Sequence, residues 1–225
     1  VLILYNEKFM RKITATLLIW LLALATASAQ IQSGPMVGYS DMREVMLWVQ
    51  TQKSANVLIK YRISGSNENF VNSEEIRTTV KDAFVAKFAL YPLNPGTKYE
   101  YEVHVDGKKI AFTYPLRFQT QTLWQYRSEP PAFRFVYSSC NYINDEAFDR
   151  PGRPYGGQNE IYTSISKSEP DFMIWGGNNT YYPDPDWNSR SGMLYRNTHT
   201  RSVKELQPLL ANVHHYALWD DHDFG

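Results

Sequence analysis

Between Gly34 and Gln119, apolar and polar residues alternate with a period of two. The alternation is clearest from Lys98 to Val105, where Tyr99, Tyr101, Val103 and Val105 share one face and Lys98, Glu100, Glu102 and His104 the other. This predicts a half-buried strand, with His104 as a solvated histidine. Asp106-Gly107 supplies a hairpin turn into a strand over Lys109-Ile110-Ala111-Phe112, because both turn residues tolerate positive φ. Val45 to Val49, Val57 to Ile63 and Phe84 to Leu90 read as further short strands, and several such strands within about 90 residues predict a small antiparallel sandwich.

Residues 120–132 break the pattern with polar residues and the pair Pro130-Pro131, which places a linker over 121–132 between a sandwich at 30–120 and a second domain at 133–225. In that second domain Phe133 to Tyr137, Asp171 to Trp175 and His215 to Trp219 read as apolar strands. A short helix is expected over Asn159 to Lys167, and a second over Thr200 to Val213, where Val203, Leu206, Leu210 and Val213 share a face. Pro208 should kink that helix or mark its second start. Strand, helix, strand, helix, strand implies a parallel sheet with right-handed crossovers.

The first methionine is Met10, followed by Arg11-Lys12, the apolar run Leu17 to Leu24 and Ala27-Ser28-Ala29. Residues 1–9 therefore read as an untranslated leader, and the rest as a secretory signal peptide cleaved after Ala29. The apolar run is shorter than the roughly 20 residues that span a bilayer, so no transmembrane segment is expected after cleavage. Export to the periplasm, cell surface or medium follows.

Composition narrows the partners. The chain has 225 residues, 43% hydrophobic and 20% charged, which is enough to bury a core. Lys plus Arg and Asp plus Glu balance at 23 each, so no net field draws nucleic acid. Cys140 is the single cysteine, which excludes an internal disulfide and leaves a thiol that is buried, reactive or ligated.

In open parallel sheets, sites form beyond the carboxyl ends of the strands. Ser138-Ser139-Cys140-Asn141, Gly176-Gly177-Asn178-Asn179-Thr180-Tyr181 and Asp220-Asp221-His222-Asp223 follow the three strands, so Cys140, Asn178, Tyr181, Asp221 and His222 are expected to converge. Singly, Cys140 reads as core, Asn178-Asn179-Thr180 as a turn or a glycosylation acceptor, and the aspartates as turn caps. Together they read as metal ligands, because like charges this close need an offsetting cation.

Leu93-Asn94-Pro95-Gly96-Thr97-Lys98-Tyr99 resembles a loop and strand of fibronectin type III and related phosphatase-associated sandwiches. Pro170 to Tyr182, Thr198-His199-Thr200-Arg201 and His214 to Gly225 together resemble the first half of a PhoD-like alkaline phosphatase, a branch of the calcineurin-type metallophosphoesterases. The resemblance implies a fibronectin type III-like β sandwich followed by a truncated α/β metallophosphoesterase domain. It further implies Cys140 and Tyr181 as ligands of one metal, Asp221 as a ligand of a second and His222 as the catalytic residue beside the phosphate. Iron and calcium are the implied cofactors, and a phosphate ester the implied substrate.

Three departures from the resemblance matter. Asn178 stands where a metal-bridging aspartate is expected, and a neutral amide lacks the charge and the second equivalent oxygen of a bridge. Gly176 replaces a larger apolar residue. The family's later histidine motifs would fall beyond Gly225, and the third strand is the last, which leaves half a sheet with an uncovered face. Two functions are therefore expected: an exported metal-dependent phosphatase or phosphodiesterase with an incomplete, inactive site, or a non-catalytic surface or binding protein that retains the phosphoesterase fold.

Overall fold

The computed structural model describes residues 31–145 and 158–224, so the leader and signal peptide expected over residues 1–29 lie outside the described residues. The period-two region forms β1 (Ile31–Ser40), β2 (Val45–Thr51), β3 (Asn56–Ile63), β4 (Val71–Arg77), β5 (Val85–Leu90), β6 (Lys98–Val105), β7 (Lys108–Lys109) and β8 (Arg117–Gln119). Strands β1, β2 and β5 make one antiparallel sheet; β4, β3 and β6 make a second, with β7 and β8 both pairing β6. Alternation decides how the two sheets meet. Val45, Leu47 and Val49 from the first and Val57, Ile59, Val103 and Val105 from the second share one core and are fully buried. The arrangement is a two-sheet antiparallel β sandwich.

On β6, Tyr99, Tyr101, Val103 and Val105 point inward as the alternation requires. Asp106 and Gly107 have φ of 48° and 76°, the positive values that a tight hairpin turn needs. The strand expected at 109–112 is shorter, Lys108–Lys109. His104 is not simply solvated: its Nε2 lies 2.9 Å from Glu102 Oε2, and the same carboxylate accepts from Lys109 Nζ at 2.5 Å.

The second region contains β9 (Phe135–Ser138), α1 (Glu160–Lys167), β10 (Phe172–Gly176), α2 (Arg190–Arg201), α3 (Gln207–Asn212) and β11 (His214–Leu218). The strands run parallel in the order β11-β10-β9. One face of this sheet packs Met173 and Trp175 against Tyr162 of α1 and Leu209 and Leu210 of α3. The helix expected over Thr200 to Val213 is broken. Helix α2 ends at Arg201, a 3-10 turn covers Lys204–Leu206, and α3 starts with Pro208 in its first turn. Proline lacks the N–H that a continuous helix would use there, and its ring fits a helix start. The apolar set nonetheless packs as expected, with Leu206, Leu210 and Val213 buried and Val203 partly so.

Among the described residues, the opposite face of the sheet carries exposed aromatic residues. Phe135 and Phe172 stack with ring centres 5.4 Å apart, and Tyr137 and Leu218 are 61% and 60% exposed. Parallel sheets ordinarily cover both faces. The Tyr137 ring lies over Gly176 and occupies the space that a side chain at that position would need.

The two regions are joined by directional bonds as well as packing. His214 Nδ1–H donates to Gly38 O at 2.9 Å, while its Nε2 accepts from the Gln119 N–H at 3.2 Å, which fixes the tautomer. Tyr101 OH donates to Ala211 O at 2.9 Å, Gly34 N–H to Gln207 Oε1 at 2.7 Å and Gln50 Nε2 to Thr198 Oγ1 at 2.9 Å. These bonds draw on β1, β2, β6 and β8, so the sandwich holds the α/β unit along much of its length.

Candidate functional site

Strands β9, β10 and β11 end side by side, and their following loops are stitched together by backbone bonds. Cys140 N–H donates to Gly177 O at 3.1 Å and Asn141 N–H to Asn178 O at 2.8 Å. Cys140, Gly177 and Asn178 have φ of 60°, 101° and 54°. Left-handed backbone at three neighbouring loop positions is costly for cysteine, better tolerated by asparagine and free for glycine. Glycine is also required at 177 for space, since a Cβ there would lie 2.6 Å from Asp220 Cβ.

Asp223 joins the second loop to the third. Its Oδ1 accepts from the N–H groups of Asn179 at 2.7 Å and Thr180 at 3.1 Å, and its Oδ2 from Asp220 N–H at 3.1 Å and Asn179 Nδ2 at 3.2 Å. Asp220 accepts in turn from Asp221 N–H at 2.9 Å, closing a capping box over the 3-10 turn Asp221–Asp223. Two of the three aspartates are thus occupied as acceptors for backbone donors. That role offsets their charge without a cation.

Asn178 is buried, and its amide oxygen is engaged. Its Oδ1 accepts from His222 N–H at 3.0 Å, and its side chain is among the smaller influences that favour the ionised forms of Cys140 and Tyr181. Burial also removes Asn178 from reach as a glycosylation acceptor.

The Tyr181 ring lies 4.4 Å from the His222 ring at 34° and meets Tyr142 edge-on at 5.3 Å. Burial, followed by the neighbouring Cys140, pushes the Tyr181 hydroxyl up to about 12, so it stays a donor. The Cys140 thiol is exposed and held below its ordinary value, first by the Tyr181 hydroxyl and then by Ser139, whose Oγ lies 3.7 Å away. Asp221 is exposed and near enough to Tyr181 to act on its ionisation.

The structure therefore gathers Cys140, Asn178, Tyr181, Asp221 and His222 at one edge of the sheet, as the loop positions implied. Their chemistry does not suit a pair of metals bridged at 178. Among the described residues, no group of three or more His, Cys, Asp or Glu side chains is arranged to hold a metal ion. The oxygen at 178 already accepts a backbone bond, and its other end presents hydrogens where a bridge needs a lone pair. Sequence reasoning missed the roles of Asp223 and of Tyr142; the spacing of Asp220 and Asp223, a capping-box signature, carried the first of these.

A β-rich region packed on a parallel α/β unit, with loops gathered at the carboxyl edge, resembles the calcineurin-type metallophosphoesterase fold. The solved structure of PhoD matches 87% of this chain with a TM-score of 0.66 at 16% identity, and the match covers 40% of the PhoD chain. A purple acid phosphatase, PPD1, from seeds of yellow lupin (Lupinus luteus) matches 86% with a TM-score of 0.57 at 10% identity, over 35% of its own length. The chain thus spans less than half the length of either protein, and identities this low establish a shared fold and nothing finer. A domain of unknown function, DUF7800, matches residues 28–123. No curated protein matches by sequence. No helix among the described residues is long and apolar enough to cross a membrane.

Proposed function

We propose that this chain belongs to an exported, non-catalytic binding protein that keeps the phosphoesterase fold and has given up the metal centre. One observation carries the reading. A neutral amide, Asn178, stands where the resemblance expects a bridging aspartate, and its oxygen already accepts from His222 N–H at 3.0 Å. Without cations, the edge presents a thiol of lowered pKa beside aspartates, which repels a phosphate dianion instead of attracting it. The domain limits at 30–120 and 133–225 and the signal peptide belong to this same reading.

A second reading, a phosphatase or phosphodiesterase using iron and calcium, is favoured by the convergence of Cys140, Tyr181, Asp221 and His222 on a fold shared with PhoD. In it Cys140 and Tyr181 would hold iron, Asp221 would hold calcium, and His222 would contact the phosphate ester. The metals would supply Lewis-acid polarisation of the phosphoryl group and a nucleophilic water. Incubating the exported protein with iron and calcium and following hydrolysis of 4-nitrophenyl phosphate separates the two. The binding-protein reading expects no turnover above buffer, and sustained turnover abolished by Cys140→Ala would overturn it.

A further inference from the structure

At the opposite edge of the parallel sheet, the residues immediately preceding β9, β10 and β11 are Arg134, Asp171 and Val213. They border a cleft of about 510 Å³, closed on its far side by the β6 and β8 end of the sandwich. That volume is in the range of small-molecule sites, and junctions between domains are a frequent place for them.

The charges around this cleft are unbalanced in a chain whose charges cancel overall. Lys98, Arg117, Arg134 and Lys167 face it, against Glu169 and Asp171. Both carboxylates are engaged. Glu169 pairs with Arg117 at 3.4 Å, and Asp171 accepts from Arg134 N–H at 2.8 Å and Gln119 Nε2 at 3.0 Å. Among the described residues, the side chains of Lys98, Arg134 and Lys167 make no ion pair. Tyr114, Pro115 and Phe118 supply an apolar wall, and burial pushes the Tyr114 hydroxyl up to about 12, so it remains a hydrogen-bond donor.

We propose that this interdomain cleft binds a small organic anion with a flat apolar body and two negative groups, either carboxylate or phosphate. The flat body lies against the Tyr114 and Pro115 wall, and Lys98 and Lys167 hold the anionic groups from the sandwich and from α1 respectively. Because the ligand touches both regions, it bridges their junction. The candidate phosphoesterase edge takes no part, so the cleft stands or falls independently of the metal question.

Calorimetric titration of the full chain with phthalate, and separately with catechol bisphosphate, tests the assignment. Saturable one-to-one binding of either probe is expected, the better of the two identifying the carboxylate or phosphate source. Affinity should fall about tenfold in the Lys98→Glu, Lys167→Glu double variant and weaken as salt is raised. Both lysines are exposed, and an unchanged unfolding midpoint would show the variant folded. Asp221→Asn, at the far edge, should bind as the unaltered protein does. The assignment is overturned if neither probe binds saturably, if the lysine variant binds unchanged, or if Asp221→Asn abolishes binding.

Discussion

The backbone N–H of His222 donates to Asn178 Oδ1 across 3.0 Å, linking the loop after β11 to the loop after β10. One neutral side chain thus ties two of the three loops together. A carboxylate at 178 would keep this bond. It would also place a charge near the Cys140 thiol, a repulsion that a bound cation relieves.

Asp223 should be the costliest of the three terminal aspartates to remove. Asp223→Ala strands the N–H groups of Asn179, Thr180 and Asp220 and should destabilise the fold by about 2–4 kcal/mol, whereas Asp221→Ala should stay within about 0.5 kcal/mol. Urea unfolding of the two variants beside the unaltered chain measures both.

Arg196 is buried on α2, with Asp186 Oδ2 at 2.8 Å and Asp145 Oδ2 at 3.4 Å. Arg196→Ala removes a buried guanidinium from beside Asp186 and Asp145 and should cost about 3–5 kcal/mol. If Arg196→Ala and the triple variant with Asp145→Asn and Asp186→Asn unfold at the same midpoint, the ion pairs are not what the substitution removes.

Two histidines predict acid sensitivity. Burial holds His215 at about 3 and His214 below the usual 6.5, with the Arg201 cation and His214 acting on His215 in the same direction. Trp175 Nε1–H donates to His215 Nδ1 at 3.0 Å, and the other ring nitrogen lies 3.3 Å from Leu209 O, so the folded ring is neutral. The unfolded chain therefore takes up protons first. The stability tied to these histidines is complete above pH ~6.5 and is lost as pH falls from there toward His215's folded value. Midpoints measured between pH 8 and 4 should show that slope, and His215→Gln should flatten it.

Much of the fold was legible because it rests on apolar periodicity. Tyr99, Tyr101, Val103 and Val105 gave β6 and its buried face, and Leu206, Leu210 and Val213 gave the packing of α3 even though the helix around them is broken. Helix α2 was not legible. Its inward residues are Arg196 and Thr200, one turn apart, and its start depends on Ser189 accepting from Gly192 N–H at 3.0 Å. A polar, ion-paired buried face leaves no apolar stripe to read. The convergence at the candidate site followed from strand order and loop position. The use of each polar group did not, because Asp223 and Asp221 look alike in sequence and differ only in which donors surround them.

Metal content tests the central claim most directly. The purified chain should be dialysed against iron and calcium and analysed by mass spectrometry, alongside Asn178→Asp. The expected result is substoichiometric metal in the unaltered chain and a severalfold rise in the variant, as a carboxylate at 178 supplies a negative charge and a second oxygen. Stoichiometric metal in the unaltered chain, unchanged by Asn178→Asp, would contradict the account.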